Sequence, residues 1–162
     1  YTTGPYPLSY NGWGDVLVII FFGFVPVGGT YYVQALTWTP DVTIASIICG
    51  LLIDTLLVVN NYRDREADAR SGKRTVIVRF GEKFGRYFYL LLGISASLLC
   101  LYFLREGHIY AALLPQLYLV PHVLTWRRMV KIHSGKKLNS ILGETSRNML
   151  FMGILLAIGM IL

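Results

Sequence analysis

Asp64 and Asp68 stand four residues apart in the segment Asn60-Asn61-Tyr62-Arg63-Asp64-Arg65-Glu66-Ala67-Asp68-Ala69-Arg70-Ser71-Gly72-Lys73-Arg74-Thr75. Carboxylates at i and i+4 lie on one side of a helix and are close enough to hold one hard cation between them. Mg²⁺ suits such a pair, because it takes one or two carboxylates and shares its other positions between water and substrate phosphates. Gly72, followed by Lys73 and Arg74, adds cations able to grip phosphate oxygens, Arg in a bidentate manner. The same segment also reads as a solvated charged stretch at a membrane surface, its charges paired with one another and with anionic lipid headgroups. Residue types and spacing leave both readings open.

The first reading needs a helix to carry these residues. An apolar run from Val42 to Val59 leads directly into the charged segment. If that helix continues past Val59, steps of about 100° per residue place Asp54, Asn61, Asp64 and Asp68 on one face. Asp54 lies inside the apolar run, where a charge costs roughly 2.5–3.5 kcal/mol on insertion scales, so a structural hydrogen bond or a polar cavity is expected beside it. His122, next to Pro121 in another apolar run, invites the same argument. His108 and His133 fall in polar segments with no ligand spacing between them.

The composition points to a membrane. Of 162 residues, 54% are apolar, with 16 glycines besides, and 15% are charged; ordinary domains are about 45–50% apolar with glycine included. A soluble globular fold is thereby disfavoured. The formal net charge is +6, but no nucleic-acid partner is expected, because the basic residues flank apolar spans. Cys49 and Cys100 both sit inside apolar runs and indicate neither a disulfide framework nor a zinc site.

Stretches long enough to cross the hydrocarbon core run over residues 16–36, 42–59, 87–104, 109–126 and, more briefly, 149–162. Five alternating spans put 1–15, 60–86 and 127–148 on one side. Fourteen of the 15 Lys and Arg residues then lie on that side, with Arg105 opposite. By the positive-inside rule, segments 60–86 and 127–148 face the cytoplasm. Gly93 with Ser97, and Gly153 with Ala157, have the spacing of close helix packing, while Gly23, Gly28 and Gly29 with Pro26 predict a bent first span. Met129 and Ile132, with Leu138, Ile141 and Leu142, suggest that 127–147 lies along the cytoplasmic interface. The expected fold is all-α, an integral membrane bundle of five transmembrane helices forming one domain over 1–162. The chain opens on Tyr1 with no signal-peptide pattern, and its last apolar run stops at Leu162, so it is expected to belong to a longer polypeptide.

Asn61, Arg63-Asp64, Asp68, Gly72-Lys73-Arg74-Thr75, Arg79 and Gly81 together resemble the second aspartate-rich motif of the UbiA superfamily of intramembrane prenyltransferases. Within it, the Asn-x-x-Arg-Asp opening and Gly-Lys-x-Thr ending are similar to the dihydroxynaphthoate polyprenyltransferase branch of menaquinone biosynthesis. Tyr1-Thr2-x-Gly4-Pro5 and Lys137-Leu138-Asn139 resemble that branch as well. Superfamily members have nine transmembrane helices and a first aspartate-rich motif, typically Asn-Asp-x-x-Asp-x-x-x-Asp, between helices two and three. These 162 residues hold no match to it, so the resemblance implies that the five spans stand for helices five to nine and that an N-terminal half carries the first motif.

The resemblance further implies that Asp64 and Asp68 are the catalytic metal ligands, binding Mg²⁺ that bridges to a polyprenyl diphosphate. Arg63, Lys73, Arg74 and Arg79 would neutralise the phosphates, and Asn61 would help orient them. The acceptor would be an aromatic acid, dihydroxynaphthoate, and the location the cell inner membrane, within the lipid bilayer. Competing readings are another aromatic prenyltransferase of the superfamily, acting on hydroxybenzoate or a haem precursor, and a non-catalytic membrane scaffold. A phosphatidyltransferase is disfavoured, since its Asp-Gly-x-x-Ala-Arg opening conflicts with Arg65 after Asp64.

Overall fold

The computed structural model describes residues 8–162. Five long helical rods account for most of them: α1 (Gly14–Ala35), α2 (Pro40–Arg70), α3 (Val76–Leu104), α4 (109–132) and α5 (Lys136–Ile161). Rods α1, α2, α3 and α5 are long and apolar enough to cross a membrane. The apolar run of α4 is diluted by Pro115, Gln116, Pro121 and His122.

Local chemistry sets the helix ends. Thr39 caps α2, its hydroxyl accepting from the Val42 N–H at 3.3 Å with Pro40 at the first helical position, where a missing N–H costs nothing. The condition for a shared face of Asp54, Asn61, Asp64 and Asp68 is met: α2 continues past Val59 and runs uninterrupted through the charged segment to Arg70. It stops in a Schellman turn: Gly72 has φ +77°, its N–H donates to the Ala69 carbonyl, and the Lys73 N–H donates to the Asp68 carbonyl at 2.9 Å. A residue with a side chain rarely adopts that φ, which is why glycine stands there. Thr75 then caps α3 by accepting from Val78 N–H at 3.2 Å, and α3 is kinked at Gly81, where φ is +86°.

In the first rod, where a bend is expected, a π-helical stretch over Ile19–Gly29 contains Pro26. It lies tightly on α2: a Cβ on Gly50 would come within 2.9 Å of Ile19 Cα, and one on Gly23 would strike the Ser46 carbonyl. Gly93 gives up its side-chain space to the His122 ring. At the C-terminal rod, Gly159 is the close approach, a Cβ there falling 2.5 Å from the Ala111 backbone; nothing lies within 4 Å of Gly153. The predicted packing at Gly153 and Ala157 is therefore not made among the described residues, because that face of α5 points outward.

Two apolar clusters fill the interior. One centres on Ile48, Phe103, Tyr118 and Met152, the other on Val58, Tyr62, Tyr89, Met129, Leu138 and Ile141. The second corrects the expectation of an interfacial helix over 127–147. Residues Leu119–Ile132 complete α4 and α5 restarts at Lys136, so Met129, Leu138 and Ile141 are core side chains. Large exposed apolar side chains on α1, α3, α4 and α5, such as Val25, Leu91, Val120 and Leu150, form an outward face of the kind that a bilayer covers.

Candidate functional site

The charged end of α2 and the turn after it build a polar pocket of 450 Å³, lined by Asp15, Asn60, Asn61, Asp68, Lys73 and Thr75 among others. The Schellman turn reverses the chain so that Lys73 comes back over the helix it has just left. Its ammonium stands 3.4 Å from both oxygens of Asp68. Gly72 and Lys73 thus serve together, the glycine permitting the turn and the lysine arriving by it. The strap before α1 closes the far side: Arg74 N–H donates to the Tyr10 carbonyl at 2.9 Å, and the Arg79 guanidinium to the Asn11 carbonyl at 2.9 Å.

Asp64 takes a different partner. Arg63 grips it through two nitrogens, at 2.7 and 2.5 Å, and the same guanidinium reaches Asn60 at 2.8 Å and Asn139 at 2.9 Å. The hydrogen bond from Arg63 holds the Asp64 carboxyl below the ordinary carboxylate range, against the smaller opposing effect of partial burial. Asn61, Asp68 and Lys73 therefore share the pocket wall, whereas Arg63 and Asp64 form a neighbouring pair that ties α2 to α5. Arg79 lines an adjoining hollow beside Asn11 and Trp13. Arg74 is exposed at the rim.

Two residues that the sequence analysis missed belong here. The spacing Asn-x-x-Arg-Asp is met by Asn60 with Arg63 and Asp64, and the Arg63–Asn60 hydrogen bond gives that spacing its meaning. Asp15, buried at the start of α1, faces the pocket; its signal is an acid in a first helical turn, where the helix dipole favours negative charge. Asp54 is 1% exposed, and neither carboxylate oxygen has a hydrogen-bond partner among the described residues. Of the alternatives expected for it, a structural hydrogen bond or a polar cavity, the hydrogen bond is not made among the described residues. Tyr1, Thr2, Gly4 and Pro5 lie outside the described residues.

Carboxylate oxygens at i and i+4 are the donor type that Mg²⁺ prefers. No group of three or more His, Cys, Asp or Glu converges among the described residues, so an ion held by Asp64 and Asp68 would complete its shell from water and substrate oxygens. The donor chemistry fits that mode of binding, in which Asp64 would give up its two contacts with Arg63. Beside the polar pocket runs an apolar groove of 990 Å³ between α1, α2 and α5, lined by Leu17, Phe21, Phe22, Ile53, Leu56 and Leu142 among others. Gly14, Leu57 and Asn60 line both spaces.

Fold and site define a helical membrane bundle with a polar pocket beside an apolar groove. The sequence pattern of the UbiA prenyltransferase family matches residues 1–161, and the chain belongs to that family; it is a multi-pass membrane protein. The 1,4-dihydroxy-2-naphthoate octaprenyltransferase of Haemophilus influenzae is 43% identical over 100 residues, covering 62% of this chain and 32% of that protein. The protein of the same name from Escherichia coli is 42% identical over 101 residues, again 62% and 32%. UbiA prenyltransferase domain-containing protein 1 of Dictyostelium discoideum is 30% identical over 162 residues, all of this chain and 48% of that protein. The chain spans about half or less of the length of these curated relatives. No solved structure matches it.

Proposed function

We propose that these 162 residues are the part of an intramembrane prenyltransferase that holds the diphosphate end of a polyprenyl diphosphate, in an enzyme that transfers the polyprenyl group to dihydroxynaphthoate in menaquinone biosynthesis. One observation carries the reading: a pocket of acids, amides and a lysine opens beside an apolar groove, and the two share Gly14, Leu57 and Asn60. A ligand with a polyanionic head and a long hydrocarbon tail fits both spaces at once. The acceptor rests on the names of the bacterial relatives.

Asp64 and Asp68 would hold Mg²⁺, which when bound neutralises diphosphate charge and makes it a better leaving group. Lys73 is already suspended over the pocket by a long contact to Asp68 and can turn to a phosphate oxygen without breaking a short bond. Arg74, at the rim, and Arg63 and Arg79, through donors that now bind amide and backbone oxygens, add positive charge where the leaving group gathers negative charge. Asn61 projects into the same pocket and offers its amide N–H to orient the head. A first aspartate-rich motif supplied by other sequence of the protein would share the load of neutralising the diphosphate.

In this reading α4 crosses the membrane with the other four rods as one transmembrane domain, and 60–86 and 127–148 face the cytoplasm at the inner membrane. Cysteines introduced as Glu66→Cys and Glu106→Cys, with Cys49 and Cys100 replaced, should react with an impermeant thiol reagent from opposite sides. Same-side labelling would overturn the topology. The function is tested by retention of a radiolabelled non-hydrolysable polyprenyl diphosphate analogue on the intact protein. Retention should require Mg²⁺ and fall sharply in Asp68→Asn; metal-independent retention, unchanged by that substitution, would leave a scaffold. Turnover assays with dihydroxynaphthoate, hydroxybenzoate and a haem precursor separate the acceptors. The 162 residues alone should bind the analogue weakly and not turn over.

A further inference from the structure

A second polar hollow lies on the outer surface of the bundle, away from the polar pocket and groove. It is a 440 Å³ cleft between the cytoplasmic ends of α3 and α4, lined by Glu82, Lys83, Arg86, Tyr87, Trp126 and Val130. Tyr87 and Trp126 mark where the apolar stretches of the two helices end, so they sit at one membrane level, their rings 6.3 Å apart. Aromatic side chains with polar tips favour that headgroup level. The Trp126 indole N–H donates to the Arg86 carbonyl at 2.9 Å, which fixes the wall of the cleft.

Its charge is unbalanced. Glu82 is already engaged by four groups: the Tyr62 hydroxyl at 3.0 Å, Arg65 at 3.2 Å, Arg86, and His133 at 3.2 Å. Arg86 spends its Nε on the Tyr62 hydroxyl and its Nη2 on Glu82. Among the described residues, Arg86 Nη1 and the exposed Lys83 ammonium keep donors with no partner. Just beneath, Tyr87 and Leu91 continue an exposed apolar stripe down α3. Spare cationic donors at the headgroup level, above apolar surface facing hydrocarbon, match the two halves of a phospholipid.

We propose that the Lys83–Arg86–Trp126 cleft binds the phosphate of an anionic phospholipid from the cytoplasmic leaflet, whose acyl chains lie along Tyr87 and Leu91. A free phosphate would meet the same cations but not the stripe. The site would fasten α3 to α4 from outside, on the flank opposite the tie that Glu82 makes to Arg65, the residue following Asp64.

The test uses the intact protein with Trp13 and Trp38 replaced by Phe, so that Trp126 is the reporter within these residues, in phosphatidylcholine vesicles doped with brominated phosphatidylglycerol or brominated phosphatidylcholine. Any tryptophan elsewhere in the protein is removed as background by subtracting the signal of Trp126→Phe. Brominated phosphatidylglycerol should quench Trp126 at several-fold lower mole fraction than brominated phosphatidylcholine. Lys83→Gln should weaken that preference about fivefold, the ratio expected from about 1 kcal/mol per basic residue at an anionic surface, and Lys83→Arg should restore it. Equal quenching by the two lipids, or a preference that Lys83→Gln leaves unchanged, would overturn the proposal. Loss of the preference on adding inorganic phosphate at constant ionic strength would assign the cleft to soluble anions and overturn it equally. None of these readings depends on prenyl transfer.

Discussion

Two of the polar regions of this bundle are built on opposite terms. At the end of α2, Lys73 hangs 3.4 Å from both oxygens of Asp68, Arg63 divides itself among Asp64, Asn60 and Asn139, and Arg74 points outward. In the middle of α3, α4 and α5, by contrast, His122 is fully buried, stacked between Tyr89 and Tyr118 at 4.7 and 5.0 Å. The Tyr118 hydroxyl lies 2.9 Å from its Nδ1, and the Leu90 carbonyl 3.2 Å from its Nε2. With Nε2 donating to the carbonyl, Nδ1 accepts from the tyrosine and the neutral ring has both nitrogens satisfied. Tyr89 meets Thr145 at 3.0 Å, Thr125 joins Glu144 to Asn148, and Gln116 pins α4 to α3 through Ser97 at 2.8 Å. The inner network has used its hydrogen-bonding capacity on folding, whereas the outer one keeps capacity that a ligand can claim.

The contrast breaks most visibly at the acids. In the intact protein, Asp64→Asn and Asp68→Asn should each lower turnover on the order of 1,000-fold, the upper range for removing one electrostatic contact to a transition state, with the thermal midpoint little changed. If both variants unfolded instead, the outer cluster would be structural like the inner one.

His122→Ala should show the mirror image. Losing a stacked ring and two hydrogen bonds in a packed interior costs about 3 kcal/mol, read as a lower midpoint in denaturant titration of the detergent-solubilised protein, while turnover per folded molecule holds. Loss of turnover at unchanged stability would move His122 from the frame to the chemistry. Gly93→Ala tests the same contact from the other helix: its methyl would strike the His122 ring, and overpacking of this kind costs about 1–3 kcal/mol. A neutral result would mean that α3 and α4 are free to separate there.

Glu66→Gln sharpens the comparison by doing least. Glu66 projects about 200° around the helix from Asp64 and is exposed, so turnover should stay within about twofold and stability within about 0.5 kcal/mol. An effect equal to that of Asp64→Asn would show that the summed charge of the segment matters rather than particular carboxylates.

Much of this was legible in the chain itself. Apolar runs about as long as a bilayer is thick dictate helices whatever surrounds them, because backbone groups without water must bond within their own segment. The glycine and threonine of the Gly72-Lys73-Arg74-Thr75 stretch stop one helix and start the next through contacts within five residues, so their roles are local and readable. The i, i+4 spacing of Asp64 and Asp68 is local as well.

What stayed hidden depends on residues far apart in sequence. That Arg63 reaches Asn139 across 76 positions, that Met129 and Leu138 fill the core rather than float at the interface, and that Gly159 rather than Gly153 meets α4 all follow from which faces of the rods meet. Asp54 shows the same limit: an acid in an apolar run announces that it needs something, but only the packing of the rods decides that no side chain among the described residues supplies it. Periodicity fixes how a helix presents its residues, and the partner that each face finds is a property of the assembled bundle.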